Sequence, residues 1–254
     1  MLFCPYFELR TFNQKTSMTG NHNLPVHVAV IPDGNRRWAR KHCFEPWIGH
    51  ANGVKRFEET ADAFFRRGIP YFTFWAASTD NLLKRNKKEV VYLVGLMKKQ
   101  LSARIKSVEK DKIRFLIFGQ GQSIINDSDL DALISKLEKK TERYAERNLT
   151  ILFGYDGFDE MTAAVNKIIN SRPSIIDYET IKNVLWTCSL PPVDLVIRTG
   201  EPLSNWAHLS AGFMMWLTGN SKIYSPQVLW PDFTEKELDE TLKEYAKEKR
   251  RFGA

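Results

Sequence analysis

The sequence predicts a single α/β domain with a central, mainly parallel β-sheet flanked by helices. Three observations carry that prediction. Short apolar runs rich in β-branched and aromatic residues alternate with longer segments whose apolar residues recur at helical spacing, the order that builds a parallel sheet covered on both faces. With 254 residues, 43% of them hydrophobic, the chain can bury one large core. No internal repeat, low-complexity tract or linker divides it.

Residues 1–24 read as an N-terminal extension outside the fold, free to move, and residues 25–254 as the domain. The opening MLFCPYF is too short and poorly flanked for a signal peptide. The first strand is VHVAVI (26–31), which gives way after Pro32 to Asp33-Gly34-Asn35-Arg36-Arg37. YFTFWAA (71–77) is the second, with Phe72 and Phe74 on one face and Trp75 on the other. It runs into Ser78-Thr79-Asp80-Asn81, residue types favoured at helix N-termini. The clearest helix spans Lys87 to Val108, with Val90, Val94, Met97, Leu101, Ile105 and Val108 at helical spacing. IRFLIFG (113–119) is the third strand, and the lone GxG in FGQGQ (118–122) reads as a turn. An amphipathic helix from Asp127 to Arg147 precedes the fourth strand, LTILFG (149–154). DLVIR (194–198) is the fifth, and a helix from Thr234 to Lys249 closes the pattern.

A formal charge of +7 favours anionic partners, among them nucleic acid, membrane surfaces and phosphorylated metabolites. No nucleic-acid reading motif is present, so nucleic acid is not expected as a partner. No apolar run reaches the roughly 18 residues of a membrane span. Cys4, Cys43 and Cys188 form no CxxC pair, and their odd number argues against a disulfide framework; a reducing, cytoplasmic setting is expected. HExxH, GxSxG and the nucleotide P-loop are all absent.

In open α/β sheets, ligands sit beyond the carboxyl ends of the strands. Here those ends carry Asp33 to Arg37, Ser78 to Asn81 and Arg198-Thr199-Gly200-Glu201. Gly34 allows a tight turn and close backbone approach. A helix starting just after it would offer free N–H groups to an anion. Arg36 and Arg37 add planar forks suited to phosphate oxygens. A bare phosphate would repel Asp33, but a bridging Mg²⁺ accepts carboxylate and phosphate oxygens together. An acid and arginines at one strand end suit a metal-bound diphosphate.

HVAVIPDGNRRWAR (27–40), GHANG (49–53), STDN (78–81), PVDLVIRTG (192–200), VLWPDF (228–233) and RRFG (250–253) resemble, in order, the signatures of the cis-prenyltransferases, the family that includes undecaprenyl diphosphate synthase. The resemblance covers the chain from Pro25 onward. It implies a Z-specific polyprenyl diphosphate synthase that adds isopentenyl diphosphate to an allylic diphosphate, farnesyl or geranyl. It further implies a hydrophobic tunnel for the growing chain, Mg²⁺, a homodimer, and peripheral contact with a membrane through the product.

Residue by residue, the resemblance makes Asp33 the catalytic metal ligand. Asn35 becomes the catalytic asparagine that helps deprotonate or position the condensing substrate. Gly34, Arg36, Arg37 and Trp38 belong to the phosphate loop, with Arg36 where many members have glycine. His50 falls beside the allylic diphosphate, and Ser78 and Asn81 among the substrate contacts. Arg85 matches the arginine that follows them, with Lys84 the competing choice. Arg198 matches the first arginine of the isopentenyl diphosphate site. Arg251 and Gly253 lie in a tail expected to cross the dimer and support that site; a solvated terminus is the other reading.

Four departures stand out. Pro46 occupies a position where the family often has an arginine, leaving that contact missing or supplied by Arg40. The stretch after Arg198 is longer than usual; Ser204-Asn205-Trp206 and Ser210-Ala211-Gly212-Phe213 compete as its motif, the second preferred, with His208 near the missing second arginine. The glutamate that assists the metal falls near Ser221-Lys222, where no carboxylate stands; Glu201 substitutes, or nothing does. The family's NYGG is GYDG (154–157) here. These departures keep two alternatives open, a head-to-middle prenyl condensation on the same fold and a non-catalytic partner subunit. Product length is open, with Phe153 and Met97 as candidate tunnel residues. His50 has a bland reading as a helix cap, and Asp33 with Arg198 as a buried ion pair.

Overall fold

The computed structural model describes residues 24–201 and 208–248. Nearly all of the predicted N-terminal extension, the Ser204-Asn205-Trp206 alternative and the tail with Arg251 and Gly253 lie outside the described residues.

Six strands form one sheet: β1 (His27–Ile31), β2 (Tyr71–Ala77), β3 (Arg114–Phe118), β4 (Asn148–Phe153), β5 (Leu195–Arg198) and β6 (Lys222–Tyr224). Their order is β3-β4-β2-β1-β5-β6, and every pairing is parallel. Five match the runs read from the sequence. The sixth is a three-residue edge strand, too short for a periodic pattern to mark it.

The helices are α1 (Asn35–Lys41), α2 (Pro46–Arg66), α3 (Thr79–Lys84), α4 (Lys87–Asp111), α5 (Gly121–Ile125), α6 (Ser128–Thr141), α7 (Gly157–Ser171), α8 (Tyr178–Val184), α9 (Met215–Thr218) and α10 (Glu235–Lys247). The helix expected over 127–147 stops at Thr141. Its hydroxyl donates to the Leu137 carbonyl and accepts from the Phe115 amide, so the helix end is tied to β3.

Alternation along the strands sorts the core into two layers. Val28, Val30, Phe72, Phe74, Leu149 and Ile151 face one way, against buried residues of α2, α4, α6 and α10. Ala29, Ile31, Trp75, Leu152 and Val196 face the other, against Leu190, Val193, Phe213, Met214 and Leu217. Phe72 and Phe74 thus part from Trp75 as strand alternation requires. Among the described residues no helix is long and apolar enough to cross a membrane.

The topology fixes where a ligand belongs. The chain leaves β1 towards β2 on one side and leaves β5 towards β6 on the other, so the strand order reverses between β1 and β5. A crevice opens at such a reversal, outside the carboxyl ends.

Candidate active site

Asp33 and Arg198 meet at that crevice. In the β1–β5 register Ile31 pairs with Arg198, which sets the arginine level with the end of β1. Asp33 follows two residues later. Its backbone carbonyl accepts from the Thr199 hydroxyl at 2.9 Å and from the Trp230 amide at 3.0 Å, so β5 and the VLWPDF segment both fix it. Its carboxylate is half exposed; Oδ1 lies 3.1 Å from Arg37 Nη2 and Oδ2 lies 3.9 Å from Arg198 Nη2.

Gly34 starts α1 with φ +115°, and a Cβ there would stand 2.9 Å from the Leu229 Cβ. Both backbone angle and space demand glycine. No side chain caps α1, so the amides of its first turn stay available to an anion. Arg36 and Arg37 leave this turn exposed, and among the described residues Arg36 forms no ion pair. Asn35 instead turns its amide against Gly53 of α2, and its Oδ1 is buried without a partner. Trp38 is held by a 2.7 Å hydrogen bond from its Nε1 to Asp232 Oδ1.

His50 lies inside α2 and is 5% exposed, which corrects its reading as a helix cap. It is the fifth residue of α2, whose N-cap position is held by Glu45. His50 Nε2 donates to Glu89 Oε1 of α4 at 2.8 Å. Burial lowers the His50 pKa, and the Glu89 bond opposes that only in part. Arg85 joins the same group: its Nη2 donates to Asn81 Oδ1 at 2.9 Å, and Nη1 lies 3.5 Å from Glu89 Oε1. Burial pulls the Arg85 guanidinium below its ordinary value, with Glu89 and Asp33 raising it and Arg36 lowering it further. Lys84, the competing choice, is exposed and pairs with Asp80 at 2.7 Å. Ser78 caps α3, its hydroxyl accepting from the Asn81 amide at 3.0 Å, so this segment orients Asn81 and, through it, Arg85.

Arg198 is nearly buried and heavily engaged. Nη1 donates to Ser210 Oγ at 2.8 Å and to the His208 carbonyl at 3.1 Å, while Nε is ion-paired with Glu201. Ser210 Oγ lies 3.2 Å from His208 Nε2, and His208 Nδ1 lies 3.5 Å from Glu201 Oε1. Ser210, of the placement preferred from the sequence, reaches Arg198; the competing Ser204-Asn205-Trp206 lies outside the described residues. The Nη2 edge, beside Asp33, is the part of the fork left for a ligand.

The residues standing where the family's glutamate would assist the metal across the dimer are otherwise employed. Ser221 Oγ donates to the Val193 carbonyl at 2.6 Å, and Lys222 Nζ donates to the Glu248 carbonyl at 2.7 Å. Glu201 is 7% exposed and neutralises Arg198. No group of three or more His, Cys, Asp or Glu among the described residues could hold a metal alone. Asp33 by itself fits Mg²⁺, which is commonly held by one or two carboxylates with substrate phosphate oxygens and water completing the shell.

Two residues of this site escaped the sequence reading. Glu89 joins His50 and Arg85; Arg85 ends α3 in extended conformation and Glu89 stands in the first turn of α4, so no single helix face marked the group in the sequence. Asp232 sat within the quoted VLWPDF segment, and nothing in one sequence pairs it with Trp38, far away in the chain.

Comparison with known proteins comes to the same place. Residues 31–253 match the family model described as "Putative undecaprenyl diphosphate synthase". An isoprenyl transferase of Fusobacterium nucleatum is 35% identical over 91% of this chain and 96% of its own. A tritrans,polycis-undecaprenyl-diphosphate synthase (geranylgeranyl-diphosphate specific) of Methanopyrus kandleri is 32% identical over 91% of this chain and 85% of its own. Among solved structures, lavandulyl diphosphate synthase from Lavandula x intermedia, in complex with dimethylallyl diphosphate, superposes with a TM-score of 0.81 at 28% identity, covering 92% of this chain and all of that one.

Proposed function

The chain belongs to the undecaprenyl diphosphate synthase family of prenyltransferases, and from that membership we propose that it is a Z-specific polyprenyl diphosphate synthase. It condenses isopentenyl diphosphate onto an allylic prenyl diphosphate and releases diphosphate. The observation that carries the assignment of roles is the meeting of Asp33 and Arg198 at the strand-order reversal, beside an uncapped helix start.

The allylic diphosphate is assigned to the Gly34–Arg37 turn, with Arg36, Arg37 and Arg85 supplying positive charge and His50 a neutral imidazole beside them. As the allylic C1–O bond breaks, the bonding pair leaves with the diphosphate, and these fixed cations stabilise the growing negative charge without reorganising. Mg²⁺ held on Asp33 would add Lewis-acid neutralisation of the same oxygens. Arg198 holds the second diphosphate by its Nη2 edge, which fixes the isopentenyl double bond near the allylic carbon. The π pair of that double bond forms the new C–C bond and leaves a cation on the adjacent carbon. A neighbouring C–H then gives its proton to the diphosphate just released, and its electron pair becomes the new double bond, with Asn35 assigned to position this step.

The growing hydrocarbon is assigned to the layer between α4 and the sheet, where Phe153 is buried in the core and Met97 packs half-buried against the same core. A homodimer is supported by a second feature. Phe158, Val165 and Ile169 form an exposed apolar stripe on α7, and Ile175, Ile176 and Tyr178 continue it. Arg251 and Gly253 are assigned to complete the partner's site, as the family resemblance implies. The product is amphiphilic, which fits a cytoplasmic enzyme working at a membrane surface.

The test is one incubation with Mg²⁺, farnesyl or geranyl diphosphate and labelled isopentenyl diphosphate, with the dephosphorylated products sized by chromatography. A longer Z-prenyl product is expected. Coupling of allylic diphosphates alone would replace this reading with the head-to-middle condensation, and no reaction at all with the partner subunit.

A further inference from the structure

We propose that the apolar face formed by Phe44, Trp47 and Ile48 in the α1–α2 turn docks the protein onto an anionic lipid bilayer. The inference deepens the peripheral reading above by naming the face and the lipid charge.

The turn between α1 and α2 projects its large side chains outward. Phe44 is 50% exposed, Trp47 43% and Ile48 37%, while the neighbouring Gly49 and His50 are buried. Phe44 is stiffened by ring contacts with His42 and Trp38, so the aromatic group is presented on a fixed base. The His50–Glu89 bond ties this end of α2 to the first turn of α4. Large apolar groups gathered in the open mark a contact surface.

Charge decides what the surface contacts. Between Arg36 and Ile48 the chain carries four basic residues and one acid, Glu45; between Leu83 and Val91 it again carries four basic residues and one acid, Glu89. Glu89 is turned inward onto His50 and Arg85, whereas Arg40, Lys41, Lys87 and Lys88 are exposed. An apolar centre with a basic rim matches a bilayer of anionic headgroups, which draws the cations to the surface while the aromatic groups enter the interface. The stripe on α7 differs: its exposed face from Phe158 to Ile169 is mainly apolar or neutral, which suits another copy of the chain. Docking through the α1–α2 turn would also bring the Gly34–Arg37 loop, which opens α1, close to the lipid.

The test uses the full chain and vesicles of phosphatidylcholine with or without phosphatidylglycerol, in the absence of substrates. Sedimentation with the phosphatidylglycerol vesicles, reversed by salt, is expected. Phe44→Ser/Trp47→Ser and, independently, Lys41→Glu/Lys88→Glu should each lower the partition coefficient about tenfold with unchanged circular dichroism. Absent binding, binding indifferent to both double variants, or a change of oligomeric state in the aromatic variant would overturn the proposal; the last would assign the face to a second copy. Prenyl transfer assayed in detergent separates the two readings. Lost vesicle binding with transfer intact removes only the docking, and lost transfer with binding intact removes only the proposed function.

Discussion

Arg198 Nη2 stands 3.9 Å from Asp33 Oδ2 across the β1–β5 seam, and each side chain has a second partner of opposite charge, Glu201 for the arginine and Arg37 for the aspartate. The spacing is loose for an ion pair, and Asp33 remains half exposed. A purely structural pair would close and bury both groups. Asp33→Asn keeps the size and removes the charge. It should leave far-UV circular dichroism unchanged and lower the turnover number by at least about 10³. Retention of a tenth of the activity would remove Asp33 from the chemistry.

Arg198 offers its ligand one edge of a planar fork, because Ser210, the His208 carbonyl and Glu201 take the rest. Lysine keeps the charge and loses the fork. Arg198→Lys should raise KM for isopentenyl diphosphate about tenfold or more and leave KM for the allylic substrate nearly unchanged. Arg198→Leu strands the Glu201 carboxylate, at a stability cost of about 3 kcal/mol. Adding Glu201→Gln should recover much of it, a coupling of about 1 kcal/mol or more by a double-mutant cycle in urea.

Glu89 accepts from His50 and draws in Arg85, so its loss leaves two buried polar groups short of a partner. Glu89→Ala should cost about 2 kcal/mol of stability. It should also raise KM for the allylic diphosphate, since Arg85 then keeps only Asn81 to orient it. Equal losses against both substrates would mean that Glu89 serves the fold alone.

The pattern of apolar residues made five strands legible because each is a compact apolar run, fully buried in β1, β4 and β5, and β1 and β5 could be read to the residue where the site begins. Asp33, Gly34 and Arg198 were legible for the same reason: they follow directly from strand ends. Residues whose roles depend on a distant partner were not. His50, read beside the allylic diphosphate, kept a helix cap as its second reading because its partner Glu89 sits on another helix. Glu201 looked like a spare metal ligand because only the fold brings it onto the Arg198 Nε. The edge strand β6 carries too few residues for any period, and its Ile223 is exposed, which removes even the apolar cue.

His27 predicts an acid limit to stability. It is fully buried, bonded to the Pro191 carbonyl at 2.9 Å and the Thr73 hydroxyl at 2.8 Å, and burial lowers its pKa to about 4. Between pH 6.5 and about 4 the unfolded chain binds a proton that the folded chain refuses, so stability rises with pH through that window and is lost on acidification. The full loss from this residue is about 3 kcal/mol. His50, shifted the same way by burial, adds to it. Thermal melts from pH 7 down to pH about 4 should show the decline, and His27→Gln should flatten it while lowering stability at neutral pH. A melting temperature that does not fall with acidification would contradict the assignment.

Val165 and Ile169 test the self-association assigned to α7. They lie four residues apart on one helical face, 49% and 62% exposed, while Ala164 and Ile168, about 100° further round the helix, are buried. A charge placed on the stripe therefore leaves the packed face untouched. In a dimer it meets its own symmetry mate across the contact, because a two-fold interface is self-complementary. Val165→Asp/Ile169→Asp should sediment as a monomer where the wild type sediments as a dimer, with unchanged circular dichroism. Activity should fall with dissociation if the tail bearing Arg251 and Gly253 completes the partner's isopentenyl diphosphate site, and the fall should appear as a rise in KM for that substrate. A monomer with unaltered KM would leave the dimer in place and remove the tail from the site.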